Sequence, residues 1–349
     1  MSIRRLLPLA FLLITAFAAC SSPAEEVPTP ATDSESAALD ESLGEALGEA
    51  NPLVPGSNPG EGMYKKVCVE KSDQKGPWEN DLVLQWVTAS GAFTKAKSQN
   101  LVESGGVPTV MQDDQGRLIA AFQWFACGDE EAFDKIAVVI SEDDGATWSD
   151  PEPIQIEDYP EDFIRPFDPT LVLLPNGKIR LYYTAGPSSS RLLDKNTNIY
   201  SAISSDGVNY TFEKGIRFDL EDQQAYDVAV GYWDDLWHLI VPNNVKKNNG
   251  GAFHATSKDG LDFTSVDDLD FTTDKNWTGN FYAGSDGLYF YGTSGKDGNW
   301  FVKTSNGETW DGPTAISTRG GDPAVYCLSK DKCLMITVQM PNQANGVKQ

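Results

Sequence analysis

One local pattern recurs five times along this chain: a β-rich run, a polar turn ending in glycine, and an aromatic residue two or three positions later. It reads VVISEDDGATW at Gly145 and Trp148, SAISSDGVNY at Gly207 and Tyr210, HATSKDGLDF at Gly260 and Phe263, and VKTSNGETW at Gly307 and Trp310; a degraded copy, QWVTASGAF, lies at Gly91 and Phe93. The glycines are 54, 62, 53 and 47 residues apart. Between these units falls a second type, two β-rich runs joined by a short turn, as in GGVPTVMQDDQGRLIAAF, PFDPTLVLLPNGKIRLYY and GGDPAVYCLSKDKCLMIT. The chain opens on an unpaired unit of the glycine–aromatic type and ends on an unpaired hairpin unit, and together these two halves make one complete repeat. A ring whose last member is closed by strands from both termini has this order. The sequence therefore predicts an all-β fold, a five-bladed β-propeller of four-stranded antiparallel blades. A β-sandwich accounts for the strands but not for the circular order.

The repeats occupy residues 64–349, and the segments before them have a different character. In residues 1–19, Arg4 and Arg5 precede an apolar stretch too short for a comfortable membrane span, which reads as an export signal. Ala18 and Ala19 before Cys20, with Ser21 and Ser22 after it, resemble the lipobox of bacterial lipoproteins. That resemblance implies acylation of Cys20, a cell-envelope location at the outer membrane, and membrane contact through the lipid only. Residues 20–63 are rich in Pro, Ala, Ser, Gly and Glu, a composition that cannot bury enough apolar surface to offset its chain entropy and so predicts an acidic, disordered tether.

Charge and ligand chemistry narrow the function. With 27 basic against 51 acidic residues the formal charge is −24, which excludes nucleic acid as the expected partner because phosphate neutralisation needs a basic surface. Two histidines, His238 and His254, and five scattered cysteines do not supply the spacing of a zinc site, so no metal or cofactor is expected. The four cysteines beyond Cys20 form an even set in a chain read as exported, which favours disulfides. Cys327 and Cys333 flank the polar segment LSKDK between two strand-like runs, where opposed positions lie within bridging distance. Cys68 with Cys127 follows by elimination.

Ser141, Asp143, Gly145, Thr147 and Trp148 match the S-x-D-x-G-x-T-W Asp-box, and so resemble the repeats of sialidases and related propellers. The box is a hairpin device: its Ser and Asp satisfy turn amides, its Gly takes an unusual backbone conformation and its aromatic packs between strands. It speaks of architecture and not of substrate. All box turns and hairpin turns should lie on one face, leaving the opposite face to long loops such as 124–134, 157–166, 184–198 and 241–251, where function concentrates on a rigid scaffold.

On that second face each innermost strand begins at the ring axis. The five residues read at that level are Val107, Asp168, Asp227, Asn280 and Asp322. Carboxylates converging there repel one another and raise at least one proton affinity, the usual route to a general acid at neutral pH. The segment FDPTLVLLPNGKIRLYYT resembles the strand opening of furanosidase-type glycoside hydrolases of the arabinanase and xylosidase kind, five-bladed enzymes that use two Asp and one Glu. That resemblance implies catalytic roles for Asp168, Asp227 and Asp322; the sequence departs from it in having Val107 in the first blade and no Glu at any of the five positions. The sialidase likeness in turn implies carboxylate-binding arginines, for which Arg165, Arg191 and Arg319 fall on the same face, and a Tyr/Glu nucleophile pair, for which Tyr282 lies near an inner strand. Asn280, from the fourth strand opening, and Trp124, as a sugar-stacking platform, are further expected substrate contacts. The early Arg-Ile-Pro motif of sialidases is missing. Two readings stand open: a glycosidase acting on extracellular glycans, and a non-catalytic propeller binding a glycan or a protein, whose aspartates cap strands or hold a central ion or water. An aspartate pair roughly 5–9.5 Å apart across a pocket favours the first.

Overall fold

The computed structural model describes residues 63–71, 75–88, 98–187, 196–221, 223–243, 251–270, 275–294 and 298–339. Cys20, the export signal, the tether up to residue 62, the degraded repeat at Gly91 and Arg191 lie outside the described residues.

The chain enters the ring with β1 (Asp81–Val87) and β2 (Gln99–Val102). The first complete blade follows as β3 (Gly105–Gln112), β4 (Leu118–Trp124), β5 (Lys135–Ser141) and β6 (Glu152–Pro153), from the inside outward. In the second, β7 (Gln155–Glu157) crosses over from the first blade and pairs in parallel with the outer strand. That blade comprises β8 (Phe167–Leu173), β9 (Ile179–Ala185), β10 (Asn198–Ser204) and β11 (Asn209–Phe218). The third has β12 (Ala229–Trp233), β13 (Leu236–Asn243) and β14 (Gly251–Ser257), with the short β15 (Thr264–Ser265) and β16 (Leu269–Asp270) both on β14. The fourth has β17 (Asn276–Gly284), β18 (Gly287–Ser294), β19 (Gly298–Thr304) and β20 (Thr314–Ala315). The fifth is completed across the termini: β21 (Gly321–Ser329) and β22 (Lys332–Gln339) form its inner half, and β1 and β2 its outer half. Each inner strand packs on the next, and β21 packs on β3, so the ring is closed as the repeat order predicts.

The middle strands LIAAFQW and IRLYYTA are apolar on consecutive residues because neighbouring blades cover both of their faces. One apolar cluster fills each of the five interfaces. Ile119 with Leu181 lies between blades one and two, Val230 with Tyr182 between two and three, and Phe281 with Ala229 between three and four. Tyr291 with Val325 lies between four and five, and Leu334 with Ala120 between five and one. Below the inner-strand openings the axis is plugged by hydrogen bonds between blades. Asn280 Nδ2 donates to the Pro108 carbonyl at 2.8 Å, Thr170 Oγ1 to the Val228 carbonyl at 2.6 Å, and the Leu171 amide to Thr109 Oγ1 at 3.2 Å.

The glycine–aromatic turns are interblade plugs. In the first, Ser141 Oγ accepts the Gly145 amide at 2.9 Å and the Asp143 carboxylate accepts the amide and hydroxyl of Thr147 at 2.8 and 2.6 Å. Those bonds, the Thr147 hydroxyl foremost, hold the Asp143 carboxyl down to about 2. The Ser204, Ser257 and Thr304 turns repeat the pattern through Gly207, Gly260 and Gly307. Gly260, at φ 71°, shows why no larger residue fits: a Cβ there would lie 2.7 Å from the Tyr182 hydroxyl of the preceding blade. His238 and His254 share a 3.0 Å hydrogen bond against the edge of Trp310, and burial pushes both imidazoles down to about 4.

Both predicted disulfides are present. Cys327 lies opposite Cys333 in the β21–β22 ladder. Cys68–Cys127 closes 59 residues and ties the N-terminal turn to the loop after β4, over a cluster of Trp78, Phe125 and Phe133. Because the entropy removed from the unfolded chain grows with loop length, replacing Cys68 and Cys127 by serine should cost roughly 4 kcal/mol, against roughly 2 kcal/mol for the Cys327–Cys333 pair. Urea denaturation of the two double variants checks the order.

Candidate functional site

Four of the five inner strands open on a residue forced into the left-handed region: Val107 at φ 46°, Asp168 at 54°, Asp227 at 57° and Asp322 at 46°. In the first, second and fifth blades the ladder slips at this point, between Gly106 and Thr109, Phe167 and Thr170, and Gly321 and Ala324. An extra residue bulges out of the pleat there and its side chain is re-aimed. Aspartate tolerates this conformation better than most residues. Val107, β-branched, does not, and its place in the same bend is a strained position at the site.

Asp168 and Asp322, in these bulges, and Asp227, in the left-handed bend just before β12, come together. Each is half-buried. Asp168 Oδ2 accepts the Asp227 amide and the Thr184 hydroxyl, both at 3.3 Å, and Thr184 Oγ1 also accepts the Asp227 amide at 3.2 Å. Thr278 donates its hydroxyl to Asp322. Among the described residues, no hydrogen bond reaches the Asp227 carboxyl. Burial and then the charge of Asp322 push the Asp168 carboxyl up to about 7, against the pull of Arg165 and of its hydrogen bonds. Burial, then Asp168 and Asp322, raises Asp227 well above the usual carboxylate range, and burial raises Asp322. Three such groups titrate as a unit that holds a proton near neutrality. Among the described residues, no three His, Cys, Asp or Glu side chains are grouped to hold a metal ion.

A carboxyl whose folded-state proton affinity is raised costs stability over the pH range in which the unfolded chain has ionised it and the fold still holds its proton, so the penalty is absent below about pH 3.8, grows between there and about 7, and is complete above. Asp168→Asn removes it. The variant should be more stable than the wild type at pH 8 by on the order of 2–4 kcal/mol, with the difference vanishing near pH 4, as read by urea denaturation at both values.

The remaining sequence-derived positions divide. Asn280 does not stand beside the aspartates: it pairs with Tyr291 as Thr170 pairs with Tyr182, one level deeper. β17 slips between Asn276 and Gly279, which shifts its numbering along the axis and leaves Thr278 at the aspartate level, with Asn280 buried in the axial plug. Tyr282 is corrected too. It pairs with Tyr289 beside the Gly284–Gly287 turn, at the far end of the strand, and packs on Tyr289 and Tyr326, each at 6.0 Å. Arg165 is on the right face, but its Nε is hydrogen-bonded to buried Asp134 and its guanidinium lies 5.3 Å from the Phe167 ring, so it is not a free anion ligand. Arg319 is exposed just before β21. Trp124 ends β4 on this face, half-buried against the interface between blades five and one. Thr184, Thr278, Asp134 and Gln123 do not stand out in the sequence; threonines on strands and an acidic loop residue carry no pattern that separates them from ordinary structural positions.

No family model matches the sequence. No curated protein matches it either. Among solved structures the fold is similar to that of a Hadza microbial sialidase, with 14% identity over 78% of this chain and a TM-score of 0.47; this chain spans 61% of that one. It is similar to an exo-beta-1,3-galactanase from Phanerochaete chrysosporium, with 12% identity, coverage of 77% of this chain and 66% of that one, and a TM-score of 0.49. It is also similar to a family 117 glycoside hydrolase produced by the marine bacterium Zobellia galactanivorans, with 14% identity, 68% and 84% coverage and a TM-score of 0.48. These likenesses concern the fold alone.

Proposed function

We propose that the face carrying Asp168, Asp227 and Asp322 binds an extracellular glycan and hydrolyses a glycosidic bond in it. A protonated carboxyl of the cluster acts as general acid and an ionised one as base or nucleophile. The observation that carries this reading is the convergence of three carboxyls from three blades in a setting that retains a proton near neutral pH. Strand capping alone accounts for it poorly, because capping carboxylates accept several amides and are held ionised, as Asp143 is in its turn. The reading includes a lipid anchor at Cys20 that carries the ring at the cell envelope, on the strength of the residues around that cysteine.

The second reading, a binding propeller without catalysis, has one observation in its favour: Asp168 accepts the Asp227 amide and the Thr184 hydroxyl, and so also serves to hold two blades together. The two part on one experiment. Incubating the protein with a panel of glycans and analysing the products by mass spectrometry should reveal shortened chains or released monosaccharide for at least one member. Binding to a panel member with no product from it supports the second reading.

A further inference from the structure

Asp134 ends the loop after β4, with its amide donating to the Trp124 carbonyl at 2.7 Å, and it is 1% exposed. One carboxylate oxygen accepts Gln123 Nε2 at 2.9 Å and the other accepts Arg165 Nε. The arginine is thus fixed by Asp134 on one side and by the Phe167 ring on another, and Phe167 is the residue immediately before Asp168. The loop carrying Asp134 is pinned by the Cys68–Cys127 bridge and by Phe125 and Phe133 in the cluster beneath it. Neither Arg165 nor Asp134 serves the chemistry proposed above, and burying such a pair is seldom a gain in stability over apolar residues of the same shape. Two atoms around it stay without partners among the described residues, Arg165 Nη1 and Gln123 Oε1, so the cluster is not arranged for maximal hydrogen bonding either.

We infer that the buried Asp134–Arg165 pair is a positioning device that sets how firmly Asp168 holds its proton. Asp134 clamps the guanidinium beside the Asp168 segment and offsets most of its charge, so that the carboxyl cluster feels a weak positive field of fixed strength. Among the described residues, the charged groups facing Asp168 are Asp227 from the third blade, Asp322 from the fifth and Arg165 from its own segment, and Arg165 is the one cation of the three. The inference deepens the hydrolytic reading, in which the cluster supplies the acid, and rests on it for its purpose.

Replacement of either partner tests it. In Asp134→Asn the amide oxygen still accepts from Arg165 Nε, and Gln123 can reverse its amide to present its unused Oε1 to the new NH₂ group. The arginine stays in place with its charge no longer offset. In Arg165→Met the positive charge is gone, and Asp134, having lost the charge and hydrogen bond that favour its ionised form against burial, becomes neutral in place. The full-length protein is labelled with aspartate carrying ¹³C at the carboxyl, and the Asp168 signal is identified by its loss in Asp168→Asn. Its titration midpoint should move down by about one pH unit in Asp134→Asn, which uncovers the arginine charge, and up by a smaller amount in Arg165→Met, which removes only the weak field that is left. A midpoint at or below the wild-type value in Arg165→Met, or at or above it in Asp134→Asn, overturns the inference. If Asp134→Asn fails to fold, Arg165→Met decides alone. The measurement does not depend on turnover, so the influence of the pair on Asp168 can be read even in a protein that binds glycan without hydrolysing it.

Discussion

Deletion of residues 64–103 leaves a chain that does not form the ring. All seven residues of β1 pair with β22, and Leu82, Leu84 and Val87 are wholly buried in the interfaces on either side of the fifth blade. Re-exposing three such side chains costs about 1.5–3 kcal/mol each. The deletion also removes Trp78 and Cys68, and with the latter the bridge to Cys127. The sum is comparable with the entire stability of an ordinary domain, roughly 5–15 kcal/mol. The exposed β22 edge, apolar at Leu334 and Ile336, is in addition a template for pairing with other chains. Circular dichroism melting should show no cooperative transition for this deletion, whereas removal of residues 21–60 should leave the transition of the full chain in place. Equal melting of the two shortened chains contradicts a ring closed across the termini.

Asp168→Asn, Asp227→Asn and Asp322→Asn should each lower glycan hydrolysis by about 10²- to 10⁴-fold, because an amide can neither deliver nor take up the proton in the transition state. The fold should survive: the Asn side chain keeps the shape of Asp and tolerates the left-handed bend at these positions. For the wild type the pH dependence follows from the raised Asp168 carboxyl. On the proposed hydrolytic reading, the cluster loses the proton it would donate as pH rises through about 7, so turnover should fall on that side. Asp143→Ala serves as the comparison. Its carboxylate is bonded within its own turn, on the opposite face, and its loss should lower stability while sparing turnover.

The ring is legible in the sequence because its repeats are set by local chemistry: the serine, aspartate and glycine of each turn are chosen by hydrogen bonds made within a few residues. The same regularity brings out Asp168, Asp227 and Asp322, since a strand opening can be counted from a turn. Counting fails in β17, where the extra bulge near Trp277 displaces Asn280 by a level, because a slip in register leaves no mark on composition. Tyr282 is misplaced by the same counting, which gives the strand but not how far along it a side chain lies. Asp134 and Gln123 escape notice for another reason. Their importance depends on an arginine more than thirty residues away, and such a pair exists only once the first and second blades are packed together.

Hydrolysis at the carboxyl cluster is tested most directly by measuring affinity and turnover on one glycan for the wild type and Asp168→Asn. Calorimetric titration gives the first and quantified product release the second. The variant should bind within about tenfold of the wild type while its turnover falls at least about a hundredfold, as expected of a group needed in the transition state and not merely to hold substrate. Turnover unchanged in the variant, or a wild type that binds the glycan and releases no product from it, would contradict the assignment of hydrolysis to Asp168, Asp227 and Asp322.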